Sequence, residues 1–153
     1  GMSSRLFQEV RENQALAYDV HSYLGQFRDC GSLIVYCGTE PSRCNLALEA
    51  IMDQLKAISD GFSEDELDMA RQYAKGSLML RMEDSRTVAM WQGGQEMLVG
   101  HVNTVDQVLS RLDQVTLEDV NRVARDFIKP DQLNVAIVGP FRGHNRFKKS
   151  LKF

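Results

Sequence analysis

The chain has 153 residues, 43% hydrophobic and 25% charged, with 18 Lys plus Arg against 21 Asp plus Glu and a net charge of −3. A chain of this length forms one domain by the usual prior and buries roughly two thirds of its unfolded surface, so no disulfide or metal staple is required. Collagen-like and disordered classes are excluded, and no apolar run approaches the roughly 20 residues of a membrane-spanning helix.

The charge is unevenly placed. Arg142, Arg146, Lys148, Lys149 and Lys152 follow Pro140, where no acid occurs, so the body keeps 13 cations against 21 acids, net −8. This predicts a body over 1–140 and a basic tail over 141–153, the tail expected to be solvated. An acidic body lacks the basic footprint that nucleic acid requires and suits a cationic peptide. Neither nucleic acid nor a membrane is expected as a partner. Cys30, Cys37 and Cys44 are odd in number and spaced by seven, unlike the close pairs of zinc or redox motifs. They read as free thiols of a reducing compartment, the cytoplasm.

The helical period opens the chain over 4–12, with Leu6, Phe7 and Val10 on one face. Residues 16–27 alternate as a long strand carrying Tyr18, Val20, Ser22 and Leu24 on one side. Asp29, Cys30 and Gly31 turn the chain into a second strand over 32–39, predicting an antiparallel hairpin. From Glu40 the apolar spacing becomes helical through Leu48, Ile51, Met52, Leu55 and Ile58, with Pro41 in the first turn and Gly61 as the stop.

Ser63 with Glu66 is a capping-box pattern opening the next helix, which carries Leu67, Ala70, Ala74 and Leu78 and runs to about Asp84. A break near Ser85 leads to another helix through Trp91 and Leu98, closed by Gly100. Thr104 with Gln107 opens a short helix. Thr116 caps the next, whose stripe is Val120, Val123, Ala124 and Phe127, and Pro130 stops it. Residues 133–138 are short and β-branched, a central-strand pattern before Gly139-Pro140. The fold class is α+β, an antiparallel-rich sheet covered by helices. A hairpin and one distant strand are a thin sheet for so many helices, so a sheet incomplete at its N-terminus is expected.

No catalytic motif accompanies these elements. His21, His101 and His144 stand far apart, and none lies in a His-x-x-Glu-His or reverse arrangement. A catalytic zinc takes three protein ligands, and no such set is visible. Glu96 and His101 are the nearest carboxylate and imidazole, but Gly100 ends the helix between them. His21 reads as a surface or half-buried strand residue. There is no nucleophile elbow and no phosphate loop.

One segment carries more information. Ser3-Ser4-Arg5-Leu6-Phe7-Gln8-Glu9-Val10-Arg11-Glu12, followed by Ala15-Leu16-Ala17-Tyr18, closely resembles the insulinase/pitrilysin, mitochondrial processing peptidase-like family of zinc metallopeptidases. Ala15 stands where that family commonly has Gly. Gly38-Thr39, then Ser63-Glu64-Asp65-Glu66-Leu67, Ala70, Lys75-Gly76-Ser77-Leu78 and Val135-Ala136-Ile137-Val138-Gly139-Pro140 follow in family order. The resemblance therefore covers 3–140.

The resemblance implies a half-enzyme. Family members pair two similar α+β halves around a closed chamber, the first carrying His-x-x-Glu-His and the second an Arg and a Tyr seven residues apart. This chain resembles the second half without its opening strands, and Arg11 and Tyr18 have that spacing. On this reading Tyr18 polarises the scissile carbonyl and Arg11 anchors the substrate backbone. The competing expectation makes Arg11 a helix-end ion-pair residue and Tyr18 a packing residue. No cofactor is expected in this chain, and zinc is expected in the complementary half. Expected partners are that half, on the same chain or another subunit, a peptide substrate, and a second copy of the chain. The alternative function is a proteolytically inactive assembly module of the same fold.

Overall fold

The computed structural model describes residues 1–143 and 145–151. The chain divides into two compact units, one built from residues 1–60 and 124–153 and the other from 61–123.

The first unit opens with a helix that is wider than an α-helix, a π-helix over Phe7–Asn13. Leu6 and Val10 are its buried positions, Val10 completely so. The hairpin follows as β1 (Asp19–Gln26) and β2 (Gly31–Gly38), antiparallel, with Asp19 opposite Gly38 and Gln26 opposite Gly31. The first strand is shorter than the predicted 16–27. Residues 15–17 are used to turn the chain out of the helix, and pairing starts only after that turn.

Val20 opposes Cys37, Ser22 opposes Val35 and Leu24 opposes Leu33, so these six share one face, as the alternation predicts. Only the end nearest the π-helix is covered. Val20 is buried, with Val35 and Cys37 packed against the core, while Leu24 and Leu33 at the tip are exposed.

α1 (Cys44–Ser59) lays Ala47, Ala50 and Ile51 on that covered end. α1 starts at Cys44, after a turn in which Arg43 N donates to Glu40 O (3.0 Å). Pro41 therefore lies in this turn and not in the first turn of the helix, because 40–43 fold back on the strand entry. Asp60 ends α1, and Gly61 follows at φ +107°, a conformation that favours glycine.

In the second unit, α2 (Glu64–Arg81) starts at the predicted capping box. Glu66 N donates to Ser63 Oγ (3.2 Å), and Ser63 N donates to Glu66 Oε2 (2.9 Å). Asp84 caps α3 (Ser85–Val99) by accepting from Thr87 N (2.8 Å) and from the Thr87 hydroxyl (2.5 Å); the hydroxyl bond first, then the backbone bond, holds its carboxyl below the ordinary aspartate range. Gly100 closes α3 in the left-handed region at φ +77°. α4 (Val105–Gln114) carries the second predicted capping box, between Thr104 and Gln107. At the start of α5 (Leu117–Phe127) Thr116 and Asp119 bond reciprocally in the same way; the helix continues into the first unit, where Ala124 is buried. α2 and α4 are joined by Lys75 with Asp113 and by Arg71 with the carbonyls of Leu112 (3.2 Å) and Val115 (2.9 Å).

Two expectations are corrected. Residues 133–138 form no strand, since no neighbour pairs with their backbone among the described residues. β-branched side chains favour a ladder but cannot make one alone. The tail is also not simply solvated. α6 (Asn145–Lys148) buries Phe147 edge-on to Phe141 (5.1 Å), and Ser150 Oγ donates to Glu49 Oε1 of α1 (2.8 Å). The apolar and hydroxyl residues between the cations hold the segment down.

Among the described residues Ala15 is the non-glycine residue at positive φ, +51°. A Cβ in that region costs roughly 1–2 kcal/mol. Replacement by Gly removes the strain but adds unfolded-state freedom worth about 0.4–1 kcal/mol. Ala15→Gly is therefore expected to raise the stability of the first unit by about 0.5–1 kcal/mol, read as an increased urea midpoint at unchanged slope.

Candidate functional site

The path from the π-helix into β1 is fixed by backbone bonds of unusual span. Gln14 N donates to Glu9 O (3.1 Å) and Leu16 N to Val10 O (2.8 Å), reaching back five and six residues. Tyr18 N donates to Gly38 O (2.8 Å), so the hairpin is already gripped one residue before β1 begins. Arg11 and Tyr18 stand on either side of this corner.

Tyr18 is 68% exposed. Its hydroxyl donates to Glu40 Oε1 at 2.7 Å. That bond pushes the phenol above the ordinary tyrosine range; loss of solvent and the Glu40 charge add to it, and the Arg43 guanidinium opposes it. Arg11 lies with its guanidinium 4.8 Å from the centre of the Phe7 ring and its Nε 3.7 Å from Glu12 Oε1. Among the described residues no hydrogen bond joins Arg11 to Tyr18. Both side chains lie at the surface, and each is held by a local partner.

The turn after β2 reaches back to the same corner. Thr39 Oγ1 donates to Leu16 O (2.5 Å), and Arg43 Nη1 donates to Ala15 O (2.6 Å). Together with Glu40, this turn therefore holds three groups of the segment 15–18. Sequence reasoning took Glu40 only as a helix start. Its signal was available in the register, because Tyr18 lies one step beyond the Asp19–Gly38 pair and so opposite the segment that follows Gly38.

The histidines do not converge. His21 lies on the outer face of the hairpin, its ring 5.1 Å from Tyr36 and 5.9 Å from Tyr23, with Nδ1 3.3 Å from Asp19. His101 follows Gly100, beyond the end of α3. His144 lies outside the described residues. Among the described residues no group of three or more His, Cys, Asp and Glu has a metal-holding arrangement. A zinc ion does not fit the donors described here. All three cysteines are free, and burial pushes the thiols of Cys37 and Cys44 upward. No helix is long and apolar enough to cross a membrane among the described residues.

A second feature of the first unit is a cleft of about 990 Å³. β2 lines one wall, α1 the floor through residues such as Leu48 and Leu55, and the unpaired segment 133–138 the far wall.

These features can be set beside known proteins. Residues 1–73 match the family described as the peptidase M16 inactive domain. An uncharacterized zinc protease of Streptomyces coelicolor is 39% identical over 145 residues, which cover 93% of this chain and 31% of the relative. One of Bacillus subtilis is 38% identical over 140 residues, covering 91% of this chain and 34% of the relative. The chain thus spans about a third of the length of the curated relatives it matches. Among solved structures, a protease from Helicobacter pylori superposes with a TM-score of 0.69 at 22% identity, covering 84% of this chain and 32% of that one, and so shares the fold. The likeness seen in the segment 3–18 thus extends through the chain: its first 73 residues match the peptidase M16 inactive domain, and over nine tenths of its length it is similar to proteins named as zinc proteases.

Proposed function

We propose that this chain is the non-zinc half of an M16 zinc metalloendopeptidase, forming one wall of the peptide chamber. Tyr18 donates a hydrogen bond to the scissile carbonyl, and Arg11 anchors the substrate backbone. The carrying observation is that both side chains stay at the surface beside one corner, 68% exposed for Tyr18 and 43% for the Arg11 side chain. A packing role would bury Tyr18. Tyrosine as donor stabilises negative charge as it develops on the carbonyl oxygen. Zinc is supplied by the complementary half, on the same polypeptide or another subunit, and the chain alone does not cleave peptides. Its three free thiols support a cytoplasmic setting.

The cleft belongs to the same reading. Among the described residues β2 is paired on one edge only, with β1, and residues 134–138 are paired in no ladder, an arrangement suited to an inserted strand. We assign it to a segment from elsewhere in the parent polypeptide.

The test uses the zinc-bearing parent and a quenched fluorescent peptide of mixed sequence. Tyr18→Phe is expected to lower kcat about tenfold, or 1.4 kcal/mol of barrier, with zinc content unchanged. Unimpaired cleavage by this variant, or a parent that cuts no peptide at all, would overturn the reading. One observation favours the assembly-module alternative: the Tyr18 hydroxyl is already committed to Glu40. The same experiment decides between them.

A further inference from the structure

We propose that Glu40 is the positioning residue of Tyr18, and that the turn carrying it is the brace on which the orientation of the phenol depends. The inference rests on the function proposed for Tyr18 above and adds a residue to it.

An exposed tyrosine has little packing to select one rotamer. Here a single hydrogen bond to a carboxylate, at 2.7 Å, does so, and bonds to an ionised acceptor are roughly twice as strong as neutral ones. The backbone beneath is fixed by the same turn, through Thr39 on the Leu16 carbonyl and Arg43 on the Ala15 carbonyl. These contacts reach across 22 to 28 residues of sequence and belong to no ladder. Ala15 is held at positive φ within this brace. Strained backbone of this kind persists where surrounding bonds over-determine it.

The chemistry follows from the donor count. A phenol has one hydrogen to give. Glu40 keeps that hydrogen on the oxygen and aimed at the base of the hairpin until a substrate carbonyl accepts it instead. Glu40 transfers no proton and touches no reacting atom. The charged groups acting on the phenol are Glu40 and Arg43, both from this turn. Glu40 raises the pKa of the phenol, so neutralising Glu40 lowers it. Tyrosinate, which cannot donate, then forms at lower pH.

Two readouts test this. In the present chain, ultraviolet titration of tyrosinate is compared for wild type, Tyr18→Phe, Glu40→Gln and Glu40→Ala; the chain has four tyrosines, and Tyr18→Phe identifies the relevant transition. In the zinc-bearing parent, kcat and KM for the quenched fluorescent peptide are followed against pH. The expected result is a downward shift of the Tyr18 midpoint in both Glu40 variants. In the parent, Glu40→Ala lowers kcat severalfold at unchanged KM, and Glu40→Gln, which keeps an acceptor, restores most of it with the alkaline limb moved to lower pH. An unmoved midpoint overturns the proposal. So does a moved midpoint with Glu40 variants kinetically identical to wild type, if Tyr18→Phe still slows cleavage; the role of Tyr18 then stands without Glu40. If Tyr18→Phe cleaves normally, the function reading fails and this inference with it.

Discussion

Val10→Asp is expected to abolish the cooperative folding of the first unit. Val10 is fully buried among Leu6, Leu16, Val20, Ala47, Ala50 and Ile51, on the helix that leads into the Tyr18 corner. The substitution loses the roughly 1.5–3 kcal/mol of a buried valine. It also leaves a carboxylate without a partner, at several kcal/mol after relaxation. The sum is comparable with the whole stability of a small domain, about 5–15 kcal/mol. Near-ultraviolet circular dichroism should lose its tertiary signal and urea unfolding its sigmoid. Val10→Ala is the control. It removes packing without burying charge and should cost about 2 kcal/mol, leaving a folded chain with a lower urea midpoint. A cooperative transition in Val10→Asp matching that of Val10→Ala would show that the π-helix does not pack as described.

Arg71→Ala is expected to destabilise the second unit by about 2–4 kcal/mol, on the scale of hydrogen bonds to charged groups. Among the described residues of 61–123, Leu67 is the one buried hydrophobic side chain, so polar ties between helices carry unusual weight. The Arg71 side chain is 17% exposed and pairs with Asp68 while donating to the carbonyls of Leu112 and Val115. These carbonyls lie at the C-terminal end of α4, where Leu112 O otherwise accepts a long bond from Val115 N (3.4 Å) and a cation also suits the helix dipole. Amide hydrogen exchange over α4 should accelerate, and that over β1 and β2 should not. Arg71→Lys should recover only part of the loss, because a point charge lacks the fork that reaches two carbonyls. Protection of α4 equal to wild type in Arg71→Ala would remove this tie from the account.

The sequence was most legible where the interactions were local. The boxes at Ser63–Glu66 and Thr104–Gln107 and the stop at Gly100 each depend on neighbours within a few residues, and all three form. The alternation of Val20, Ser22 and Leu24 gave the correct face of the hairpin but not the extent of its burial, which ends where the π-helix and α1 end. Residues 133–138 show the opposite failure. Their composition favours a strand, but a strand is a property of two segments, and none is paired here. The hydroxyl and phenyl side chains within the basic tail were visible in the sequence, but Glu49 and Phe141 as their partners were not.

By itself, then, the sequence determined the caps, the hairpin, the fold class and, through the segment 3–18, the family resemblance, because each rests on spacing along the chain. It also placed Arg11 and Tyr18 as candidates. Only the tertiary structure decided what holds them. The grip of Thr39, Glu40 and Arg43 on 15–18 joins segments more than twenty residues apart. Such contacts follow from the hairpin register and the docking of α1. Local residue pattern does not encode them, since the free energy that selects them is released only when the distant parts meet.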